Sequence, residues 1–219
     1  RSVSTAGDVN GDGYADVIVG AYQYGATDAG AALVWYSTSN GVNNDVAGTP
    51  ANAAWKATGA SDEAHLGRSV ATAGDVNGDG YADVIVGAPH FTNGQEDEGA
   101  AYLYLGSAAG LSSTWDNQDE GNLNNAWFGQ SVACAGDVNG DGYADVVVGA
   151  PLYTNDQTEE GRAFLWYGSA SGISATRDWW AEGNATSAWY GNSVATAGDV
   201  NGDGYSDLIV GAYGEGSQA

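Results

Sequence analysis

Residues 7–22 read GDVNGDGYADVIVGAY, and near copies of this run begin again at Gly74, Gly136 and Gly198. The copies start 67, 62 and 62 residues apart (7 to 74, 74 to 136, 136 to 198). Self-similarity at a nearly fixed period is typical of repeat architectures, in which one small unit is stacked on the next. Any fold for this chain therefore has to place the same element four times.

Each unit contains four strand-like segments in the same order. The first is made of small residues, as in SVATAG at 69–74, and the second is the Val-Ile-Val segment that follows the acidic loop. Successive apolar residues in the second segment predict a strand that is buried on both faces. The third segment carries aromatic residues, as in GAALVWYS at 30–37, and the fourth contains tryptophan, as in AAWKATG at 53–59. No stretch has the periodicity of a helix.

Four strands in every unit indicate an all-β chain that folds as a β-propeller of four-stranded blades. We place the repeats at about 1–65, 66–127, 128–189 and 190–219, within one propeller segment that spans 1–219. The chain would then hold three complete repeats and a partial fourth. A β-sandwich or a parallel β-helix is the alternative, although the long unit with four distinct strands weighs against the β-helix.

The acidic loop of each unit has the ligand spacing of a calcium site. In the first copy the side-chain oxygens of Asp8, Asn10 and Asp12 stand at positions 1, 3 and 5, and Asp16 stands at position 9. Tyr14 at position 7 offers its backbone carbonyl. Hard oxygen ligands in this number suit Ca²⁺ better than Mg²⁺, and no nitrogen or sulfur ligand is present for zinc or copper. We predict about four structural Ca²⁺ ions, the other three being bound by Asp75, Asn77, Asp79, Tyr81 and Asp83; by Asp137, Asn139, Asp141, Tyr143 and Asp145; and by Asp199, Asn201, Asp203, Tyr205 and Asp207.

This loop matches only the first half of an EF-hand. Val19 stands where an EF-hand has its bidentate Glu at position 12, and strand-like segments replace the flanking helices. A metal-free turn is the alternative interpretation, because Asp, Asn and Gly favour turns in any case. Three carboxylates within nine residues would repel one another without a cation, however, and the fourfold repetition favours the metal.

The charge of the chain limits its partners. It has 28 Asp and Glu against 5 Lys and Arg, a formal net charge of −23. Nucleic acid and anionic membranes both require basic patches, so we predict neither as a partner. No run of about 18 apolar residues is present, so we predict no membrane insertion. The single cysteine, Cys134, excludes an internal disulfide, and it replaces the Thr of VATAGD, which indicates a small buried residue.

Little in the sequence points to catalysis, and we predict that the chain is not an enzyme. His65 and His90 are the only histidines and stand at different places in their units. A phosphate-binding glycine loop and a nucleophile elbow are both absent from the sequence. Carboxylate pairs at 95–99 and 157–161 could serve a glycosidase. Charged runs in loops are more often solvated, and we favour that interpretation.

Binding is the function that the sequence favours. The repeats differ most between the second and third strands, and variable loops on a rigid scaffold are where recognition concentrates. Within these loops, Tyr22, Tyr24, Phe91 and Tyr153 are the candidate ligand contacts. The tryptophans Trp115, Trp179 and Trp180 could bind a sugar, although we favour packing between blades for them.

The units resemble FG-GAP repeats, the blades of the integrin α-subunit propeller and its bacterial relatives. The two halves of the name stand at Phe128-Gly129 and at 149–151, which reads Gly-Ala-Pro, whereas 20–22 and 211–213 read Gly-Ala-Tyr. The resemblance implies an extracellular adhesion scaffold, at the cell surface or secreted. Its protein ligand would bind the face opposite the calcium loops. The alternatives are a lectin-like carbohydrate-binding module, or an accessory propeller of a larger surface protein or enzyme.

The two ends of the chain raise the question of how a ring would close. The segment at 1–3 aligns with 68–70, so the chain begins with a first strand and ends after a second strand. Propellers use about 4–8 blades, and three and a half would not close. The chain is then expected to be either part of a longer propeller or one half of a homodimer that completes the ring.

Overall fold

The computed structural model describes residues 2–214, apart from the side chain of Asp45. Arg1 and residues 215–219, which the sequence analysis assigns to the first and last repeats, lie outside the described residues. In the described chain the only helical element is a 3-10 turn at Asn43–Asp45. None of its helical structure has the length and apolar composition that a bilayer crossing requires.

Three four-stranded antiparallel sheets and a final two-stranded sheet follow one another along the chain. In each complete sheet the four main strands lie side by side in chain order, which is the architecture of propeller blades. The all-β, blade-based fold predicted from the sequence is confirmed.

The strands are assigned to the blades as follows. Blade 1 consists of β1 Ser2–Gly7, β2 Asp16–Ala21, β3 Ala31–Trp35 and β6 Trp55–Thr58, with a small hairpin of β4 Ser37–Thr38 and β5 Gly41–Val42. Blade 2 consists of β7 Ser69–Gly74, β8 Asp83–Ala88, β9 Ala100–Tyr104 and β10 Asn117–Glu120, and blade 3 of β11 Ser131–Gly136, β12 Asp145–Ala150, β13 Arg162–Trp166 and β14 Trp179–Glu182. The last hairpin consists of β15 Tyr190–Gly198 and β16 Asp207–Ala212.

The first strands of successive blades pack against one another. Strand β1 contacts β7, β7 contacts β11, and β11 contacts β15. Small residues are required there because the strands approach closely: a Cβ atom added to Gly74 of β7 would stand 3.2 Å from Sγ of Cys134 in β11. Among residues 2–214, β1 does not pack against the last hairpin as the first strands of successive blades pack against each other, so the described blades form an open series.

Burial follows the position of each strand in this series. Strands β8 and β12, in the middle blades, are buried throughout, as the Val-rich pattern predicts. Strand β2 alternates between buried and partly buried residues, and β16 is partly exposed along its whole length. The difference arises because β2 and β16 each lack a neighbouring blade on one side. The aromatic third strands β3, β9 and β13 are fully buried and fill the wider space away from the centre.

The fourth strand of blade 2 does not include the tryptophan that marks this segment in the sequence. The strand runs over Asn117–Glu120, and Trp115 lies before it. The backbone N–H of Leu105 donates to Asp116 Oδ2 at 2.8 Å, and Asp116 N–H donates to the Leu103 carbonyl. These bonds hold residues 115 and 116 in the connection, so the ladder with β9 starts only at Asn117.

Each first strand ends in a β-bulge that leads into the acidic loop. In blade 1 the pairing register shifts between Thr5 and Gly7, and the same shift occurs in the other three blades. Gly7 has a φ of 77°, and its N–H donates to Thr5 Oγ1 at 3.1 Å. Cys134 takes the Thr position in blade 3, and its Sγ accepts the Gly136 N–H at 3.3 Å. Burial raises the pKa of this partly buried thiol, which disfavours the reactive thiolate.

Candidate functional site

The acidic loops connect the first and second strands of every blade, and all four have the same hydrogen bonds. In loop 1, Asp8 Oδ1 accepts the Gly11 N–H at 2.7 Å and Asp8 Oδ2 accepts the Gly13 N–H at 2.8 Å. Gly13 has a φ of 90°, which other residues rarely adopt, and this allows the chain to wrap around the carboxylate. The equivalent bonds to Asp75, Asp137 and Asp199 are 2.6–2.9 Å long.

The ligands predicted at positions 3 and 5 lie next to each other on the outside of the loop. Asn10 Nδ2 donates to Asp12 Oδ2 at 3.1 Å, and Asp12 Oδ1 accepts the Tyr14 N–H at 3.0 Å. The same pair of side chains is hydrogen-bonded in the other three loops at 2.8–3.0 Å. All of these side chains are accessible to an ion from solvent.

The aspartate at position 9 is different, because it begins the second strand and is buried. Asp16, Asp83 and Asp145 are each at most 1% exposed. In blade 2, Asp83 Oδ2 accepts the Val76 N–H and Asp83 Oδ1 accepts the Gly106 N–H, both at 2.8 Å. Burial raises the pKa of Asp83 to about 7, against the lowering effect of these two N–H groups. Asp207, in the last hairpin, is only half-buried.

The chemistry of these loops fits a hard divalent cation. Each supplies three carboxylates and one amide oxygen within nine residues, and Ca²⁺ prefers such oxygen donors. Within residues 2–214, however, no three acidic or imidazole side chains converge into a cage that would already enclose a metal ion. The carboxylates are held by backbone N–H groups of their own loop. Closure around an ion would therefore require small rearrangements of the outer side chains.

The opposite end of the blades carries a series of aromatic rings. Because the second strand runs back from the acidic loop, the loops between strands two and three, and those between blades, lie at the far end. The centroids of the Tyr22 and His65 rings are 5.3 Å apart, those of His65 and His90 4.7 Å, and those of His90 and Trp127 5.0 Å. Further along the series, Trp189 and Tyr213 stack at 5.5 Å. We call these residues, with Leu152, the loop face.

A cavity of about 250 Å³ opens between Trp127 and Trp189 on the loop face. Leu152 and Tyr213 contribute apolar walls, and Glu159 lies at its edge. Glu159 Oε2 accepts the indole N–H of Trp189 at 3.0 Å, which fixes the ring. Three aromatic rings therefore line the cavity, and a carboxylate lies beside them.

Three of the four aromatic residues predicted as ligand contacts occupy the same structural position in their repeats. The backbone carbonyls of Tyr24, Phe91 and Tyr153 each accept the N–H of the glycine before the third strand at 3.0 Å. Phe91 is only 8% exposed and packs on Tyr102, with centroids 6.2 Å apart, so it belongs to the core and not to a contact surface. Tyr153 packs on Phe164 at 5.7 Å. Only Tyr22, the fourth residue, joins the loop face.

The residues that the sequence analysis missed lie in the connections between blades. His65, Trp127 and Trp189 each precede the Leu-Gly, Phe-Gly or Tyr-Gly pair, and aligning the repeats at that pair would have identified the position. His90 is partly buried, and its Nδ1 lies 3.0 Å from Asp97 Oδ2. The two histidines stand at different repeat positions, as predicted, but packing of blades 1 and 2 brings them together.

The acidic runs at 95–99 and 157–161 each bury one carboxylate. Glu98 and Glu160 are fully buried. Glu98 accepts the N–H groups of Asn93 at 2.8 Å and Asn122 at 3.2 Å, so it joins two loops. Glu160 Oε1 accepts the Asn155 N–H at 3.1 Å. These two carboxylates hold loop backbone in place.

The tryptophans on the outer edges of the blades are more exposed than packing predicts. Trp115 is 49% exposed and Trp180 is 51% exposed. Trp180 covers the guanidinium of Arg162, which lies 4.2 Å from its ring, so one of its faces is packed. Trp179 also remains accessible, at the side of blade 3 that faces the last hairpin.

Comparisons with known proteins agree with this architecture. The model of the FG-GAP repeat matches residues 1–35, 66–104, 128–166 and 190–219. Integrin alpha-7 of Homo sapiens is 38% identical over 68% of the chain, integrin alpha-V of Gallus gallus 33% over 95%, and integrin alpha pat-2 of Caenorhabditis briggsae 30% over 99%. The alignments cover 12%, 19% and 18% of those relatives, so the chain spans less than a fifth of their length. The chain therefore belongs to the FG-GAP repeat family, and its repeats are blades of an integrin-like β-propeller.

Proposed function

We propose that the chain is an extracellular adhesion scaffold that binds a protein ligand through the loop face. The observation that carries the proposal is the aromatic series with its cavity, at the end of the blades remote from the acidic loops. Rigid aromatic side chains on a fixed scaffold are typical anchors of protein interfaces. Similarity to integrin α subunits supports the adhesive role and the extracellular location.

The charge of the chain favours a basic surface on the ligand. The net charge is −23, and Glu159 and Asp97 lie beside the rings of the loop face. Opposite potentials steer association and fix the orientation of a complex. A cationic side chain of the ligand would also interact favourably with the faces of the indole rings.

Substitution of the cavity tryptophans tests the loop face. We expect Trp127→Ala with Trp189→Ala to weaken binding to a basic protein ligand at least tenfold, because both rings line the cavity. The measurement is surface plasmon resonance of the chain against a panel of purified extracellular proteins. Trp115→Ala is the matched control, since Trp115 is exposed but lies in the connection at the acidic-loop end. Equal loss with the control variant would contradict a loop-face site.

A carbohydrate ligand is the second candidate, favoured by the exposed rings of Trp115 and Trp180. Exposed indole faces can stack on sugar rings, and the acidic surface offers hydrogen-bond acceptors. A glycan array distinguishes the two candidates: retention on sugars that is lost with Trp115→Ala or Trp180→Ala would replace the protein-ligand proposal. We do not propose an enzymatic activity, because the two buried glutamates bind loop backbone.

We further propose that the four acidic loops bind about four structural Ca²⁺ ions through the side chains at positions 1, 3, 5 and 9 and the carbonyl at position 7. The ions would offset the repulsion between carboxylates and hold the ends of the first and second strands. Chelation should then lower the thermal midpoint by about 5 °C or more, because a cation bound only by the native state stabilises it. The measurement is a thermal melt with and without chelator, with Mg²⁺ addition as the control.

The same melt gives the contradicting outcome. An unchanged midpoint in excess chelator would reject structural calcium. Asp79→Ala should lower the midpoint in the presence of Ca²⁺ and leave binding at the loop face intact, since Asp79 lies at the other end of the blade.

A further inference from the structure

We propose that the four acidic loops bind cations cooperatively. An ion bound in one loop strengthens cation binding in the loop of the preceding blade, through a peptide group of the former loop that is hydrogen-bonded to the latter. The inference rests on the proposed binding of Ca²⁺ and goes beyond it, because it concerns contacts between loops and not the ligands within a loop. It applies at the three junctions between loops 1, 2, 3 and 4.

The contact that links the loops is a backbone hydrogen bond repeated three times. The Ala82 N–H in loop 2 donates to the Asp8 carbonyl in loop 1 at 2.9 Å. Two equivalent bonds join the later loops: Ala144 N–H to the Asp75 carbonyl at 3.0 Å, and Ser206 N–H to the Asp137 carbonyl at 2.8 Å. In each case the acceptor is the residue at position 1, whose carboxylate is the first predicted ligand.

The donor N–H belongs to a peptide group whose carbonyl oxygen is itself a predicted cation ligand. The Ala82 N–H and the Tyr81 carbonyl are the two ends of one peptide, and the Tyr81 carbonyl is the position-7 ligand predicted for loop 2. A cation on that oxygen polarises the peptide and makes its N–H a stronger donor, since hydrogen bonds in a chain polarise one another. The stronger bond fixes the backbone of Asp8, and loop 1 then binds its own ion at a lower entropic cost.

Side-chain packing reinforces the same junction. The ring of Tyr81 lies on Gly11 of loop 1, and a Cβ atom added there would stand 2.5 Å from Tyr81 Cε1. Tyr143 lies on Gly78 and Tyr205 on Gly140 in the same way, at 2.6 and 2.5 Å. In loops 1, 2 and 3, the glycine between positions 3 and 5 thus leaves room for the position-7 tyrosine of the next loop.

A second route runs through the buried aspartate of loop 2. Asp83 Oδ1 accepts the Gly106 N–H, and the adjacent Ser107 N–H donates to the Val9 carbonyl of loop 1 at 3.2 Å. Val9 N–H in turn donates to Asp16 Oδ2 at 3.1 Å. The buried ligands of neighbouring loops are therefore linked through short backbone segments, Gly106-Ser107 and Val9, that are hydrogen-bonded to each other and to the two aspartates. Asp145, through Gly168 and Ser169, repeats the arrangement toward Val76, with the Ser169 N–H 3.0 Å from the Val76 carbonyl.

The test compares calcium affinities in chains with selected loops disabled. Replacing the exposed position-5 aspartate by alanine (Asp12, Asp79, Asp141 or Asp203) disables one loop, and isothermal titration calorimetry with Ca²⁺ measures the rest. Chains retaining loop 1 alone, loop 2 alone, or both give the coupling. If the loops were independent, the binding constant for filling both would equal the product of the two single-loop constants. We expect the binding constant for filling both loops to exceed that product about fivefold or more, which is the usual range of coupling between sites.

Proline substitution then locates the coupling, because proline has no N–H to donate. Ala82→Pro should abolish the excess. Ala15→Pro is the matched control at the same loop position, since within residues 2–214 no other loop accepts a hydrogen bond from the Ala15 N–H. Tyr81→Ala against Tyr14→Ala forms a second pair, in case proline disturbs folding, which circular dichroism checks. Tyr81→Ala should reduce the excess, and Tyr14→Ala should not.

The outcomes separate the two proposals. Calcium binding without any excess would overturn the coupling and leave the calcium proposal standing. An excess that survives both Ala82→Pro and Tyr81→Ala would also overturn it, because the coupling would not pass through this peptide. Absence of calcium binding in every chain would overturn both proposals.

Discussion

At the scale of single residues, one backbone position shapes the loop face. His65, Trp127 and Trp189 have φ values of 56°, 53° and 52°, in the left-handed region that residues other than glycine seldom adopt. Such backbone persists only where the surrounding structure fixes it. The parallel bridges Gly30 to Leu66 and Gly99 to Phe128, directly beside this position, provide that constraint. The backbone that carries these three rings is therefore fixed by the packing of the blades.

His65 should make stability depend on pH. Burial lowers the pKa of His65 from 6.5, and His90 and Arg68 act in the same direction, against Asp28 and Glu63. A lowered pKa means that the unfolded chain binds the proton more tightly. Stability should therefore fall as the pH drops through 6.5, and it should continue to fall until the pH is below the folded-state pKa. This loss of stability should be less than about 1 kcal/mol. His65→Phe, which keeps a ring, should remove it.

Urea unfolding at pH 7.5 and pH 5.5 measures the effect. Wild type and His65→Phe should differ in how much stability each loses between the two pH values. Between pH 8.5 and pH 7.5 the imidazole is neutral in both states, and the two chains should then lose equal amounts. Identical losses in the acidic range would show that His65 does not contribute.

At the scale of elements, an arginine from the connection before β14 adds a side-chain link between blades 2 and 3. Arg177 Nε donates to Asp119 Oδ2 at 2.9 Å, and its guanidinium lies 4.2 Å from the Phe164 ring centroid. It also donates to the Glu120 carbonyl of β10. The junction between blades 1 and 2 is built differently: the Trp55 indole N–H donates to the Ser112 carbonyl at 2.8 Å.

Removal of this arginine should weaken the junction. We expect Arg177→Met to lower the free energy of unfolding by about 1–2 kcal/mol, because the ion pair and the contact with the ring are lost together. Arg177→Lys is the control: it keeps the charge but cannot form the planar two-nitrogen contact, so an intermediate loss is expected. Chemical denaturation measures all three chains. A stability equal to wild type for Arg177→Met would mean that solvent screens the contact.

The elements also show how far the sequence could be interpreted. The strand order, the acidic loops and the double burial of β8 could be predicted, because they depend on local patterns that recur in every copy. The inward packing of Phe91 could not, since an aromatic residue in a variable loop looks the same whether it faces the core or solvent. The contact between His65 and His90 was also beyond prediction, because it exists only once two blades pack together.

At the scale of the whole molecule, the two ends of the blade series expose apolar side chains. Val3 on β1 is 72% exposed and Ile209 on β16 is 60% exposed, whereas Val70, the residue of β7 equivalent to Val3, is 5% exposed. In the interior of the series, the adjacent blade covers the residue at this position. Exposed apolar surface of this kind marks sites of association.

We therefore expect the 219-residue chain to self-associate in solution. Light scattering should give a mass above that of one chain, and Val3→Ser with Ile209→Ser should shift it toward the monomer. Val46→Ser is the control, because Val46 is 58% exposed but lies in the connection before β6, away from both ends. A wild-type chain that stays monomeric at high concentration would contradict the prediction.

The unlike junctions between blades bear on how four similar repeats assemble in the right order. A chain of near copies is prone to folding errors in which a blade packs on the wrong neighbour. The register places Ala57 of blade 1 and Ala181 of blade 3 where Asp119 stands in blade 2. If blade 3 packed on the wrong neighbour, Arg177 would lie beside an alanine and would have no carboxylate at that position to pair with. The differences between the repeats at their edges thus specify the sequence of blades, which the strands themselves, being alike, could not.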